Sequence, residues 1–246
     1  MAPYNYDRLS AQDASFLVFE TDNVPMHIAA TQIYEAGPLR NEDGGIDFTA
    51  IKKSIASILH LIPRYRQKLQ WIPLAGLPVW IDDRDFNLDY HLRHTALPRP
   101  GGMEQLKRLS ARIMSHQLDR ARPLWEMWII EGLEGDRFAM ISKMHHCMLD
   151  GEAGADLAQI LMSPDPGRTL APEAPAFIPR PAPAGIDLLR DEVIRRLSLP
   201  LKAVRSFQAL GQESADVRQE IAIRARALGE LVGWAVRAPS ETPING

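Results

Sequence analysis

Two adjacent histidines, His145 and His146, are the residues of this sequence with the clearest potential for chemistry. They lie in the segment 142–151, which also contains Cys147, Asp150 and Gly151 and has the form HHxxxDG. An imidazole can act as a general base near neutral pH or can bind a metal ion. A histidine beside a cysteine can also activate a thiol nucleophile. The segment therefore offers three kinds of chemistry, besides a purely structural role for both imidazoles.

The position of the pair on a strand separates these alternatives. Successive strand residues point to opposite faces, so one imidazole can face a cavity while the other packs inward. Two diverging imidazoles would not converge with Asp150 on one ion, and we predict no metal site. Cys147 adjoins His146 in sequence, which does not provide in-line geometry, and a small buried residue is the better interpretation of it.

Strong secondary-structure signals surround the pair. Residues 137–144 and 124–133 each read as a strand, and Glu134, Gly135 and Asp136 between them are typical of a hairpin. A helix is predicted over residues 151–162, and Gly151 permits the close backbone approach that a sharp turn requires. The histidines thus lie at a junction between a strand and a helix, where side chains project into clefts.

The remainder of residues 1–163 alternates between helix and strand signals. Ser10 is predicted to cap a short helix, and apolar spacing predicts helices over 48–59 and 103–118. Strands are predicted over 26–35, 65–72, 79–82 and 86–92. Interleaved elements of this kind predict a layered α/β domain with a mixed sheet.

The last third of the sequence has a different composition. Residues 164–185 contain seven prolines and predict an extended linker. Residues 186–246 predict a helical connector with helices over 186–210 and 213–237, the first kinked or interrupted at Pro200. An apolar stripe on the first helix needs a partner surface, and its members are Leu188, Leu189, Val193 and Leu197.

Composition excludes several classes of protein. The chain has 246 residues, 46% of them hydrophobic, and a formal net charge of -3, which predicts a folded domain without attraction to nucleic acid. A single cysteine favours a reducing, cytoplasmic compartment. The first ten residues lack the apolar core of a signal peptide. The apolar run at residues 71–81 is interrupted by prolines and is shorter than the roughly 20 residues of a membrane-spanning helix.

Five segments together resemble one family. HHxxxDG is similar to the signature of the CoA-dependent acyltransferase superfamily, which includes chloramphenicol acetyltransferase and peptide-synthetase condensation domains. Four further segments occur in the order and spacing of bacterial wax ester synthase/diacylglycerol acyltransferases. They are residues 9–16 (LSAQDASF), 25–27 (PMH), 63–69 (PRYRQKL) and 122–126 (RPLWE).

The resemblance implies a fold and indicates how much of the family's architecture the chain covers. It implies a chloramphenicol-acetyltransferase-like sandwich domain, followed by the helical connector. It covers the whole chain but only the first half of the family's architecture, because members continue into a second, similar half. Residues 239–246 look like the start of that half, which supplies the other wall of the active-site tunnel.

The resemblance also implies the mechanism and the roles of residues. His146 would be the general base for transfer of a fatty acyl group from acyl-CoA to diacylglycerol or a long-chain alcohol. Asp150 would be structural and would pair with Arg64 or Arg66, between which the sequence does not choose. Acyl-CoA would be a co-substrate, and no cofactor is implied. Structural roles are implied for His145, Gly151, Pro123, Leu124 and Trp125.

Partners and location follow from the same reasoning. Lipid substrates and the apolar stripe suggest a peripheral contact with the inner membrane or with lipid droplets. The alternative to an enzyme is a truncated or split half that acts as a non-catalytic binding module. Such a half would pair with a C-terminal partner chain or with itself, because it would expose an apolar surface.

Overall fold

The computed structural model describes residues 6–148 and 175–210, and for residues 199–210 it describes the backbone alone. The described residues up to Leu189 belong to one compact unit, and those from Arg190 onward belong to a second. The predicted helices over 151–162 and 213–237 lie outside the described residues, as do Asp150, Gly151 and residues 164–174 of the predicted linker.

The described part of the first unit alternates between strands and helices, as the sequence predicts. The strands are β1 (Tyr6–Arg8), β2 (His27–Glu35), β3 (Gln67–Trp71), β4 (Pro78–Asp82), β5 (Leu92–Ala96), β6 (Trp125–Leu133) and β7 (Arg137–His145). The α-helices are α1 (Ala11–Phe19), α2 (Phe48–Ile58), α3 (Leu88–His91), α4 (Met103–Ser115) and α5 (Gly185–Leu210), of which the last continues into the second unit. Short 3₁₀ turns cover Gly37–Leu39, Leu59–Leu61, Pro63–Arg66 and His146–Met148.

A mixed four-stranded sheet in the order β2-β7-β6-β5 carries the HHxxxDG segment. β7 pairs antiparallel with β2 and with β6, and β5 lies parallel to β6. The register places His27 of β2 directly opposite His145 of β7. Directly opposed residues share a face of the sheet, so these two imidazoles project to the same side.

Both faces of this sheet are covered. Trp125 belongs to the larger core with Met127, Ile129 and Phe138, whereas Trp128 packs against a second core that contains Ile141. The two tryptophans are three residues apart on β6 and therefore occupy opposite faces. Because β6 and β7 are buried on both sides, they form the rigid centre of a layered α/β domain.

A smaller antiparallel sheet, β1-β4-β3, anchors the proline-rich segment. The backbone N–H and the guanidinium of Arg180 donate three hydrogen bonds of 2.8–3.1 Å to the Asp82 carboxylate at the end of β4. The amide of Gln70 donates to the carbonyl of Pro183. Residues 175–184 therefore belong to no helix or strand and are bonded to the sheet, while their role as an extended linker stays a prediction.

Two predicted elements differ from the structure. Residues 86–92, for which the sequence predicts a strand, contain α3, because the Asn87 side chain accepts the Asp89 N–H and begins a helical turn. β5 starts only at Leu92. The strand predicted from Tyr65 begins at Gln67, since Pro63 favours a 3₁₀ turn. The backbone of α5 stays helical through Pro200, so the helix is not interrupted there, and the alternative, a kink, stays a prediction.

Gly101 packs so closely against β6 that it provides a sharp test of this fold. Its φ is +77°, and a Cβ atom at this position would lie 1.8 Å from the carbonyl oxygen of Gly132. We predict that Gly101→Ala lowers the free energy of unfolding by about 2–4 kcal/mol, through backbone strain and steric overlap. Urea denaturation measures the change.

Gly76→Ala is the matched control, because Gly76 has a φ of +68° but a Cβ added there would meet no atom within 4 Å. Backbone strain alone should cost about 1–2 kcal/mol there. Equal losses in the two variants would show that Gly101 does not pack against β6 as described.

Candidate active site

His146 follows the last residue of β7 and starts a 3₁₀ turn. Its backbone N–H donates to the carbonyl of Met26 at 2.8 Å. Its ring stacks on Phe16 of α1, with centroids 3.8 Å apart and planes 21° from parallel. The side chain is half-buried, and its Nδ1 is buried without a hydrogen-bond partner among the described residues. The imidazole is thus oriented by the backbone and by an aromatic ring, with none of the described side chains bonded to it.

His145 is fully buried on the opposite side of the strand. Its backbone N–H donates to the carbonyl of Leu124 at 2.9 Å, and its Nδ1 accepts the N–H of Cys147 at 3.1 Å. An Nδ1 that accepts a hydrogen bond carries no proton, so the proton of the neutral ring is on Nε2. Burial lowers the pKa of His145 more than the nearby Glu20 carboxylate raises it, which favours this neutral form.

The Glu20 carboxylate is the centre of a buried polar cluster beside His145. Its side chain is 3% exposed and accepts hydrogen bonds from Arg120 Nε at 3.1 Å, Arg120 Nη2 at 2.7 Å and Met26 N at 3.1 Å. His27 Nε2 lies 3.1 Å from Oε1, and His145 Nε2 lies 3.4 Å from Oε2. Burial raises the pKa of Glu20, but the hydrogen bonds from Arg120 and Met26 outweigh it and the pKa lies below the usual range.

Lys143 completes the cluster from within β7. It is 1% exposed, and its Nζ donates to the carbonyl of Ile113 at 2.9 Å and to that of His116. These carbonyls lie at the end of helix α4, where a cation also interacts favourably with the helix dipole. Burial lowers the pKa of Lys143. Burial and the Lys143 charge also lower the pKa of His27, to about 4, despite the opposing effect of Glu20.

Sequence reasoning missed Glu20, Arg120 and Lys143. A signal existed for Lys143, because it alternates with Ile141 and His145 on β7 and so had to point inward. Arg120 bonds to Glu20 from 100 positions away in the sequence, and no local pattern joins the two. His27 is singled out by the sequence only as part of the PMH segment, with no assigned partner.

The residues predicted to have structural roles at 123–125 do contact the site. The carbonyl of Leu124 holds the backbone of His145, and that of Pro123 accepts the N–H of Trp125. Trp125 is buried; its indole N–H donates to the carbonyl of Tyr65, and its carbonyl oxygen lies 2.8 Å from Nδ1 of His91. The segment therefore joins the strand that carries the histidines to the neighbouring elements.

Arg64 and Arg66, the expected partners of Asp150, both lie in the turn Pro63–Arg66. Arg64 donates to the side chain of Gln67 at 2.8 Å and stacks on the Trp80 ring. Arg66 lies over the ring of Phe177. Because Asp150 and Gly151 are outside the described residues, the pairing and the role of Gly151 stay predictions.

The rival chemistries receive no support from the geometry. Burial raises the pKa of the Cys147 thiol to about 12, so the thiolate required of a nucleophile does not form near neutral pH. In the described part of the chain, no group of three histidine, cysteine, aspartate or glutamate side chains is arranged to hold a metal ion. The cationic Arg120 and Lys143 beside Glu20 also disfavour an additional cation.

The low pKa of His27 makes stability depend on pH. The unfolded chain binds a proton at this imidazole near pH 6.5, whereas the folded chain, in which His27 faces Glu20, Lys143 and His145, binds it only at a pKa of about 4. The contribution of His27 to the free energy of unfolding is therefore fully present above pH 6.5 and declines as the pH falls toward 4. Between pH 7 and pH 5 the decline is about 2 kcal/mol.

We predict that His27→Gln removes this part of the acid sensitivity. Urea denaturation measures the free energy of unfolding at pH 7 and at pH 5. The decrease between the two should be about 2 kcal/mol smaller in the variant than in the wild type. His116→Gln, which alters an exposed imidazole outside the cluster, should keep the wild-type dependence. A variant at residue 27 with an unchanged dependence would contradict the neutral, buried state of His27.

Known proteins with similar sequences are named as acyltransferases. A protein of Mycobacterium tuberculosis named as a probable diacylglycerol O-acyltransferase, tgs3, is 42% identical over 171 residues, which are 69% of this chain and 59% of that protein. Another M. tuberculosis protein with the same enzyme name is 36% identical over 98% of this chain and 46% of its own length. The chain thus spans about half the length of these relatives.

Solved structures show the same fold. The wax ester synthase/diacylglycerol acyltransferase of Marinobacter aquaeolei VT8 matches with a TM-score of 0.55 and 31% identity over 67% of this chain and 41% of that one. A starter condensation domain of rhizomide synthetase has 13% identity and a TM-score of 0.50 over 64% of this chain and 35% of that one, which reflects the fold alone.

The family model described as the wax ester synthase/diacylglycerol acyltransferase catalytic domain matches residues 9–246. That match spans all five motif segments, both strands of the central hairpin and the buried cluster around Glu20. The chain belongs to the wax ester synthase/diacylglycerol acyltransferase family.

Proposed function

We propose that this chain forms the histidine-bearing part of an O-acyltransferase. The enzyme would move a fatty acyl group from acyl-CoA to the hydroxyl of diacylglycerol or of a long-chain alcohol. One observation carries the proposal: in a chain of this family, the second histidine of HHxxxDG projects half-exposed from the end of the central strand. Its neighbour is bonded inward, so His146 is the imidazole that a substrate can reach.

His146 would act as the general base in a single transfer step. As the acceptor oxygen bonds to the thioester carbon, the imidazole takes the hydroxyl proton. The tetrahedral intermediate then collapses, the carbon–sulfur bond breaks, and the proton passes to the departing CoA thiolate. The ester and free CoA are the products, and no external oxidant or reductant is required. A base of this kind contributes roughly 10²–10⁴-fold to the rate.

The other motif residues would hold this base in place. His145 bonds to the N–H of Cys147, which follows His146, and to the carbonyl of Leu124, while Trp125 bonds to the carbonyl of Tyr65. Asp150, paired with Arg64 or Arg66, would hold the loop that follows. Neither the sequence comparisons nor the solved structures favour the non-catalytic alternative. Pairing with a C-terminal half and a cytoplasmic location remain predictions.

We predict that His146→Ala lowers the rate of acyl transfer roughly 10²–10⁴-fold while the chain stays folded. The assay follows CoA release and ester formation from a long-chain acyl-CoA, with diacylglycerol or hexadecanol as the acceptor. It is run on the chain alone and with a separately expressed C-terminal half from a relative. Thermal unfolding checks the fold.

His116→Ala is the matched control, because it removes an exposed imidazole elsewhere in the same unit. It should retain the wild-type rate. An unchanged rate in His146→Ala would overturn the mechanism. A wild-type chain without transfer under either condition would overturn the proposed activity.

We further propose that helix α5 contacts a lipid surface. Four apolar side chains on it are strongly exposed: Ile186 (71%), Val193 (49%), Ile194 (58%) and Leu197 (69%). They occur at helical spacing beside Arg190 and Arg196, a pattern typical of helices that lie in a membrane interface. Leu188 of the predicted stripe is instead fully buried, in a core with Ile72, Val79 and Ile81. Among the described residues, no helix combines the length and apolar character needed to cross a bilayer.

We predict that the chain floats with anionic liposomes and that Val193→Asp/Leu197→Asp abolishes flotation. Two side chains that would enter the interface become charged, which opposes insertion. Leu74→Asp is the control, because Leu74 is 94% exposed on a turn outside this helix, and it should float as the wild type does. Equal flotation of both variants would exclude α5 as the contact.

A further inference from the structure

The Glu20 carboxylate has more nitrogen atoms close to it than a structural ion pair requires. Five groups approach its two oxygens: the backbone N–H of Met26, two nitrogens of Arg120, and one ring nitrogen each of His27 and His145. Burying a carboxylate is costly unless it is compensated in this way. We propose that Glu20 is a positioning residue for His146 and holds the turn that carries this imidazole from both sides. The inference rests on the proposed function of His146.

The first connection runs through Met26. Oε1 of Glu20 accepts the Met26 N–H at 3.1 Å, and the carbonyl of the same residue accepts the His146 N–H at 2.8 Å. Residue 26 is therefore bonded on one side to the carboxylate and on the other to the backbone of the proposed base. A displaced Met26 would release the N–H that starts the turn.

The second connection runs through His145. Its Nε2 lies 3.4 Å from Oε2 of Glu20, and its Nδ1 accepts the N–H of Cys147. Nδ1 can accept only when the ring proton is on Nε2, the nitrogen that faces the carboxylate. A negative charge at Glu20 favours this tautomer. With the other tautomer, an N–H group would oppose the N–H of Cys147 and the turn would lose this bond.

The third connection runs through helix α1. Glu20 follows the last residue of α1, and its backbone N–H donates to the carbonyl of Phe16 at 3.1 Å. Phe16 supplies the ring on which His146 stacks. Glu20 is thus connected to the backbone of His146, to His145 and to the Phe16 ring on which His146 stacks.

A neutral side chain of the same shape could not replace this carboxylate. In Glu20→Gln one oxygen becomes an NH₂ group, which is a donor and faces further donors. Either the Met26 and His27 side or the Arg120 and His145 side loses its acceptor. Asp at position 20 would keep the charge but would reach less far.

The test combines ring-nitrogen NMR with kinetics. In the wild type with ¹⁵N-labelled histidine, His145 should carry its proton on Nε2 at pH 7, and the His146 ring protons should show the upfield shift caused by Phe16. In Glu20→Gln the His146 resonances should move toward those of free histidine, and the Cys147 amide should exchange faster. In the form of the protein that shows transfer, kcat should fall about 10–100-fold with little change in KM.

Glu126→Gln is the matched control. Glu126 is a half-buried carboxylate directly opposite Lys143 on the same face of the sheet, but it accepts from the Trp128 indole and not from the groups that bond to Glu20. This variant should keep the wild-type spectra and kcat. Glu20→Asp should recover part of the lost kcat, which a role limited to packing would not explain.

The outcomes separate the two proposals. An inactive wild type would overturn the proposed function, while the spectra would still test Glu20. Unchanged His145 and His146 resonances in Glu20→Gln, or an unchanged kcat, would overturn the positioning role even if His146→Ala abolished transfer. If Glu20→Gln does not fold, the wild-type spectrum decides: a proton on Nδ1 of His145 would overturn the proposal.

Discussion

One buried carboxylate, that of Glu20, organises the region around the two histidines. Its charge is compensated by Arg120, which is 36% exposed and reaches inward from the loop after α4. That pairing allows two imidazoles to lie beside the carboxylate in their neutral forms. It also links elements that are distant in sequence: the end of α1, the start of β2, the end of β7 and the loop that contains Arg120. Without a charged acceptor at this point, several buried donors would have no partner.

The alternation of β7 explains why adjacent histidines have different surroundings. Lys143 and His145 point to the side where the carboxylate lies, and both are almost fully buried. His146, the next residue, leaves the strand on the half-exposed side and meets Phe16. A dry environment keeps His145 neutral and bonded to the backbone, whereas a base that meets substrate needs access. One strand end provides both environments because neighbouring side chains diverge.

Much of this arrangement was predictable from local patterns. Apolar alternation identified β2, β6 and β7 and the hairpin between the last two, and Ser10 caps α1 as expected through the bond from Asp13. The HHxxxDG segment led to the correct region of the fold. Prediction failed where a single side chain altered local structure, as at Asn87.

The cluster itself was beyond local prediction, and the reason is physical. Its stability comes from pairing charges that are about 100 residues apart, and such pairs leave no periodic trace in a sequence. Each member alone has an ordinary interpretation: Glu20 as a helix end, Arg120 as a loop residue, Lys143 as a polar residue on a strand. Only the register that sets His27 against His145 brings them together. The motif histidines can therefore be recognised from sequence, whereas the groups that hold them in place become apparent only once the sheet is assembled.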